Sequence, residues 1–198
     1  MLHGEDGFVM SKSKGNVVLP EEVSQKYGID TARLFLMSIA SPDKDTNWSE
    51  TGIEGTMRVV FKIFNYFNNF KAGKSSAVIE SKVNKTIKDF SEDIEKFRYN
   101  LGIIKLRALF EAFENEKEIS RKNAESFLKM LHPICPHITE ELWHSLGNKT
   151  FISLESWPVV DESKINEKFE VAERNVDKSV ADILNVLKII KEKTGKEG

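Results

Sequence analysis

The sequence predicts a mainly α protein, a helical bundle preceded by a short hairpin, a polar loop and two short helices. Two observations carry that prediction. From Ser49 onward apolar residues recur at steps of three and four in stretch after stretch, the spacing that lines one face of a helix. Between the stretches stand residues that stop or restart helices, among them Pro42, Gly73, Pro133, Pro136 and Gly147.

In chain order, Met1 to Val9 reads MLHGEDGFV, where Gly4 and Gly7 frame an acidic turn between two apolar pieces, a hairpin. Domains seldom start inside a turn, so a longer polypeptide, or an alternative start at Met1, is the expectation. Ser11 to Asn16 is polar and aperiodic, hence a loop. Pro20 at a favoured first helical position, Glu21 and Glu22 in the first turn and Gly28 as a stop predict a helix over 20–27. Asp30 suits the N-cap of a second helix, which Leu34, Phe35, Leu36, Met37 and Ile39 make apolar nearly all round, as a buried helix is. The polar stretch Asp43 to Asn47 then marks a boundary between a segment 1–48 and a bundle 49–160.

Ser49 is an N-cap candidate for a long helix with Ile53, Met57, Val60, Phe64 and Phe67 at steps of 4, 3, 4 and 3, ending near Lys71. Phe61, Phe64, Phe67 and Phe70 are read as core. Val83, Ile87, Phe90, Ile94 and Phe97 repeat the pattern, and a weak break at Asn100-Leu101-Gly102 separates them from Ile104, Ala108, Leu109, Phe110 and Phe113. A further helix runs from Ser120 to Leu131, and Pro136 restarts another that Gly147 stops. Phe151 to Trp157 reads as an extended piece returning over the bundle, and Pro158 forbids a central strand there. Phe169, Ala172, Val176, Val180, Ile183, Leu187 and Ile190, at steps of 3, 4, 4, 3, 4 and 3, make the cleanest helix. Lys193 to Gly198 caps nothing and reads as a linker, which gives a third segment, 161–198.

Composition excludes several classes. Of 198 residues 40% are apolar before the 11 glycines are counted, and adding them reaches the roughly 45–50% of globular domains, so the chain is not disordered as a whole. Twenty-nine basic against 31 acidic residues leave a net charge of −2. No whole-molecule field then attracts a polyanion, and any such site is a local patch. Cys135 is the only cysteine and has no intramolecular disulfide partner. No apolar run approaches the roughly 20 residues of a membrane span, and no signal peptide is evident, so the cytoplasm is the expected location.

Chemistry concentrates in Met10-Ser11-Lys12-Ser13-Lys14-Gly15-Asn16. Nothing there is a general base. Two ammonium groups, two hydroxyls and free backbone N–H groups on a hinged loop are donors for a phosphate chain. On composition alone an ordinary solvated Ser/Lys/Gly loop is the commoner explanation. His132, Cys135, His137 and His144 carry metal-capable side chains within 13 residues. Two prolines interrupt them, which favours a helix–helix joint with buried rings over a zinc site, so no metal is expected. Trp48 and Trp143 read as packing anchors rather than base-stacking platforms.

Met10 to Asn16 resembles the signature loop of class I aminoacyl-tRNA synthetases, written K-M-S-K-S and often continued K-G-N. Val9 stands where the first lysine usually stands, so that donor is absent. The likeness continues in Tyr27-Gly28-Ile29-Asp30 with Arg33-Leu34, and in Asp43 to Gly55, which is most similar to the leucyl members. Leu131-His132-Pro133-Ile134-Cys135-Pro136-His137 through Trp143 resembles a stretch of the helical anticodon-binding domain.

The resemblance implies a bundle of the anticodon-binding type, with stem-contact helices in 1–48. It implies Lys12 as the catalytic residue that stabilises charge on pyrophosphate as leucine is adenylated. Met10, Ser11, Ser13 and Lys14 would share the ATP phosphates with Lys12, and Mg2+ would arrive with ATP. It further implies tRNA(Leu) as partner, and Arg58, Lys62, Lys85, Lys88, Arg98, Lys105, Arg107, Arg121 and Lys122 are the candidates for touching it. The H-I-G-H motif and the nucleotide-binding domain are missing, so the expectation is the C-terminal part of a larger enzyme, inactive alone, needing its N-terminal catalytic domain in cis or as a second chain. Another class I synthetase, or a free-standing tRNA-binding module in which the loop is idle, are the alternatives.

Overall fold

A computed structural model describes residues 1–194, apart from the side chains of residues 173, 177, 181 and 190–194. Eight helices are described: α1 (Pro20–Tyr27), α2 (Ile29–Ile39), α3 (Glu50–Asn68), α4 (Ala77–Glu95), α5 (Tyr99–Glu114), α6 (Arg121–Leu131), α7 (Pro136–Ser145) and α8 (Glu167–Thr194). Serine caps open three of them. Ser49, Ser76 and Ser120 accept the N–H groups of Gly52, Ile79 and Asn123 respectively, each satisfying a donor that the first helical turn leaves orphaned.

The N-terminal turn closes as expected, with Gly4 N–H donating to Phe8 O at 2.9 Å and a single antiparallel bridge between His3 and Val9. The longer pairing is different. Strand β1 (Leu2–His3) runs parallel to β2 (Thr46–Asn47), Leu2 opposite Thr46 and His3 opposite Asn47. The polar boundary stretch thus supplies a strand, because backbone pairing across more than 40 residues leaves no mark on local composition.

Two hydrophobic clusters form. The smaller gathers Val23, Tyr27, Ala32, Phe35, Trp48 and Ile53, with Met10 and Val18 packed against it. The larger runs from Leu34 and Val60 through α4–α7 to Ile152. Helix α2 lies between them, giving Leu34 to one and Phe35 to the other, which is why its sequence is apolar nearly all round. Leu36 nonetheless stays 44% exposed. On α3 the buried residues are Ile53, Val60, Ile63 and Phe67. Phe61 falls about 100° round the helix from Val60 and is 57% exposed, so that phenylalanine is not core.

Three local readings change. Asp30 is not the N-cap of α2: Gly28, at φ 83°, takes that place, and the Asp30 carboxylate serves another helix. It accepts His137 Nδ1 at 2.8 Å and the N–H of Ile138 at 2.7 Å, at the start of α7. One turn on, Arg33 donates to the carbonyls of Ile134 and Pro133, each at 2.9 Å. The run from His132 to His137 is therefore a helix–helix joint, but one of hydrogen bonds rather than stacked rings.

The break between α4 and α5 lies at Lys96–Arg98, not at Gly102. Phe97 sits at φ 56°, Phe97 N–H bonds Ile94 O and Arg98 N–H bonds Asp93 O. This is the paired closure usually built on glycine, as it is at Gly147 after α7. With phenylalanine in the left-handed position the stop signal is invisible in the sequence. Gly102 serves packing instead: a Cβ there would lie 2.8 Å from the Phe90 ring. Gly102→Ala should therefore lower stability by about 1–3 kcal/mol despite alanine's better helix propensity. Thermal unfolding checks this, and an unchanged midpoint would show that the α4–α5 contact yields freely.

After α7 the chain returns over the bundle through a short 3₁₀ turn, Ile152–Leu154, and an extended piece. Trp157 stacks on Phe90, centroids 6.0 Å apart, and donates its indole N–H to Ser91 Oγ at 2.8 Å. Helix α8 forms as its periodicity predicts. Its apolar face is not covered among the described residues: Val176, Val180, Ile183 and Leu187 are between 49% and 61% exposed. The Ile190 side chain and the expected linker after Thr194 lie outside the described residues.

Candidate functional site

The lysine-serine loop is a built turn rather than a slack connection. Met10 anchors it on the smaller cluster. Lys12–Lys14 form one 3₁₀ turn, closed by Gly15 N–H to Lys12 O at 3.2 Å, with Gly15 at φ 67°. A side chain is strained at that φ, so the glycine allows the turn to close tightly. Ser11 Oγ lies 3.3 Å from Ser13 Oγ, so the two hydroxyls share one side of the turn.

Asn16 clasps the loop. Its Oδ1 accepts the Ser11 N–H at 2.9 Å, and its Nδ2 donates to both Asp6 oxygens at 3.2 and 3.1 Å. The Asn16–Asp6 pair ties the loop to the N-terminal turn, over the buried Gly4, whose Cβ would lie 2.8 Å from Asp6 Oδ1. Asn16 closes the motif read in the sequence without a role of its own there, and Asp6 does not stand out at all. Both are ordinary turn formers, and their pairing across ten residues exists only once the turn has folded.

The charges stay available. Lys12, Ser13 and Lys14 are exposed. Lys14 Nζ lies 4.7 Å from the Phe8 ring centroid, a cation–π contact that keeps its charge. Lys12 forms no ion pair among the described residues. The turn therefore presents two ammonium groups, two hydroxyls and backbone N–H groups to solvent, a donor set that suits phosphate oxygens.

The basic residues of the helices are placed differently. Lys62 pairs with Glu114 at 2.7 Å, Lys88 with Glu162 at 2.8 Å, Arg121 with Glu125 at 2.8 Å, and Lys85 with Asp89 and Glu170 at 3.5 and 3.6 Å. Arg98 and Lys105 converge on the buried carboxylate of Asp93, at 2.7 and 2.5 Å. Arg58, Arg107 and Lys122 have no ion pair among the described residues. Six of the nine candidates thus share their charge with acids, four of them with acids of the same surface and two with the buried Asp93. The pairs of Lys62, Lys85, Lys88 and Arg121 are exposed, hold weakly and can be exchanged for phosphate, whereas Arg98 and Lys105 neutralise the buried Asp93 and are held in place by it.

Among the described residues no three metal-capable side chains converge. His132 Nδ1 meets Thr139 Oγ1 at 2.8 Å, and burial lowers its pKa. Burial also pushes the Cys135 thiol well above its usual range, where it is a poor nucleophile and ligand. Trp48 and Trp143 are 5% and 3% exposed, packing anchors as expected.

Comparison with known proteins adds to this geometry. Residues 76–197 match the family model described as the anticodon-binding domain of tRNA ligase, over more than half of the chain. The chain belongs to that family. Ahead of this anticodon-binding domain, residues 1–49, which hold the lysine-serine loop, match the model of class I tRNA synthetases (I, L, M and V). The leucine–tRNA ligase of Fervidobacterium nodosum is 36% identical over 185 residues, which are 82% of this chain and 23% of the relative. That of Thermosipho melanesiensis is 36% identical over 183 residues, 81% and 22% of the two chains. The chain thus spans less than a quarter of these relatives. Among solved structures, a LeuRS from Agrobacterium radiobacter in a ternary LeuRS-tRNA-LeuAMS complex superposes with a TM-score of 0.73 at 22% identity, over 84% of this chain and 24% of that one. At that identity the likeness concerns the fold, and the helical anticodon-binding bundle is the fold it shares. No described helix is long and apolar enough to cross a membrane.

Proposed function

We propose that this chain works as a segment of a leucine–tRNA ligase, which activates leucine with ATP and transfers it to tRNA(Leu). The observation that carries the reading is Lys12, exposed and without an acidic partner among the described residues, on a turn pinned by Asn16 and Met10. In the first half-reaction a leucine carboxylate oxygen bonds to the α-phosphorus of ATP and the bond to pyrophosphate breaks, so negative charge grows on the leaving group. Lys12, seconded by Lys14 and the Ser11 and Ser13 hydroxyls, would hold that charge. A fixed cation placed where charge develops accelerates the step without reorganising. Mg2+ would enter on the ATP phosphates.

The bundle, residues 49–160 with the segment 161–198 behind it, would seat the tRNA. Arg58, Arg107 and Lys122 are the first candidates for its phosphates, and Lys62, Lys85, Lys88 and Arg121 would exchange their exposed carboxylates for phosphate, while Arg98 and Lys105 stay with the buried Asp93. The cytoplasm is the location that fits such an enzyme. The amino acid and adenosine pockets would come from the catalytic domain of the same enzyme, in cis or as a second chain.

Pyrophosphate exchange tests the reading. The complete ligase carrying this segment should move labelled pyrophosphate into ATP when leucine is added, and not when isoleucine, valine or methionine is. Exchange driven by one of those three would move the protein to that synthetase. A protein that binds tRNA but exchanges with none of the four would be a tRNA-binding module with an idle loop.

A further inference from the structure

The joint between α2 and the α6–α7 turn is made of directional bonds where apolar contacts would have sufficed for cohesion. Asp30 is 4% exposed and uses both carboxylate oxygens on α7, one for the Ile138 N–H and one for His137. Arg33, one turn later, spreads its guanidinium over the carbonyls of Pro133 and Ile134. The charges match the ends they hold: a carboxylate at the N-terminus of α7, a guanidinium at the carbonyls that follow α6. Oily helix faces can slide on one another at small cost. A carboxylate and a forked cation that grip opposite sides of one turn cannot, because a shift of about 1 Å takes such bonds beyond useful length.

What lies against each face of α2 gives this rigidity its meaning. Leu34 enters the larger cluster of the bundle, Phe35 the smaller cluster, and that smaller cluster holds Met10 of the loop. The angle between bundle and loop is therefore set through α2.

The geometry points to Asp30 and Arg33 as positioning residues that keep the loop-bearing segment in register with the bundle, so that a tRNA seated on the bundle meets the catalytic side of the enzyme at a fixed distance. The inference rests on the ligase reading above. Neither residue touches the loop, so activation of leucine should proceed without them. Transfer to tRNA needs the acceptor end delivered to a point set by the bundle, and a misplacement of about 1 Å costs up to about a hundredfold in rate.

Two variants of the complete ligase test it. Arg33→Met keeps the packing of the stem and removes both bonds, whereas Arg33→Lys keeps the charge without the fork. Leucine-dependent exchange should stay within about twofold in both, while kcat/KM for charging tRNA(Leu) falls at least about tenfold in Arg33→Met and less in Arg33→Lys. If Arg33→Met fails to fold, the milder variant carries the same comparison, with a several-fold loss in charging alone expected. Exchange and charging falling in equal proportion would reduce Arg33 to a stability residue, and charging unchanged in both would equally overturn the proposal. An unaltered enzyme that performs neither half-reaction would overturn the ligase reading instead, which separates the two failures.

Discussion

Lys12→Ala in the complete ligase is expected to slow leucine-dependent pyrophosphate exchange by roughly 10²–10³, the usual loss when one fixed donor to a developing charge is removed. Leucine affinity should change little, because under the proposed function the loop would meet phosphates rather than the amino acid. The large factor follows from the surroundings of Lys12. No acid among the described residues neutralises it, and the 3₁₀ turn holds it on a base formed by Met10, Asn16 and Gly15. Val9 stands where the resemblance places a first lysine, so under the proposed function fewer cations would share the load. Lys14 stands two residues away with its charge against the Phe8 ring, and Lys14→Ala should therefore cost less than Lys12→Ala. Exchange assays over a range of ATP and leucine concentrations separate the effects. An unaltered rate in Lys12→Ala would remove the loop from the mechanism.

Phe127→Ala should lower stability by about 3–5 kcal/mol, the range for a buried phenylalanine replaced by alanine. Phe127 is 1% exposed, stacked on Phe67 at 5.5 Å between centroids, with Phe110 and Phe113 at 5.8 and 5.7 Å. These four rings come from α3, α5 and α6, so their collapse into the cavity would have to move three helices at once. For a chain of this size each kcal/mol shifts the melting midpoint by about 2–4 °C. Phe61→Ala, on the exposed side of α3, is the control and should stay within about 0.5 kcal/mol. Equal shifts for the two variants would mean that this aromatic cluster does not close the core.

The comparison of Phe61 with Phe127 also shows where sequence reading stops. Phe61, Phe64, Phe67 and Phe70 share one helical spacing, but the face that α3 buries is chosen by its neighbours, and it turned to Ile63 rather than Phe61. Helix starts were legible at Ser49, Ser120, Pro20 and Pro136, because a cap is a local bond between residues a few positions apart, although the equally local cap at Ser76 was not read. The end of α4 was not, because Phe97 occupies a glycine conformation that tertiary context holds in place. The chemical loop was legible for its lysines and serines. Its clasp was not, since Asn16 finds Asp6 only through the folded turn.

The sequence by itself determined the helical class, most helix limits, the lysine-serine loop and the likeness to class I synthetases, all carried by local spacing and local motifs. Tertiary structure alone decided the pairing of Leu2–His3 with Thr46–Asn47, the service of Asp30 and Arg33 to a turn about 100 residues away, and the pairing of basic helix residues such as Lys62 and Lys88 with acids of other elements. The physical reason is one of range. Periodicity and capping act within a turn or two of the chain, whereas a buried carboxylate or a paired strand depends on partners that only the packed fold brings within hydrogen-bond distance.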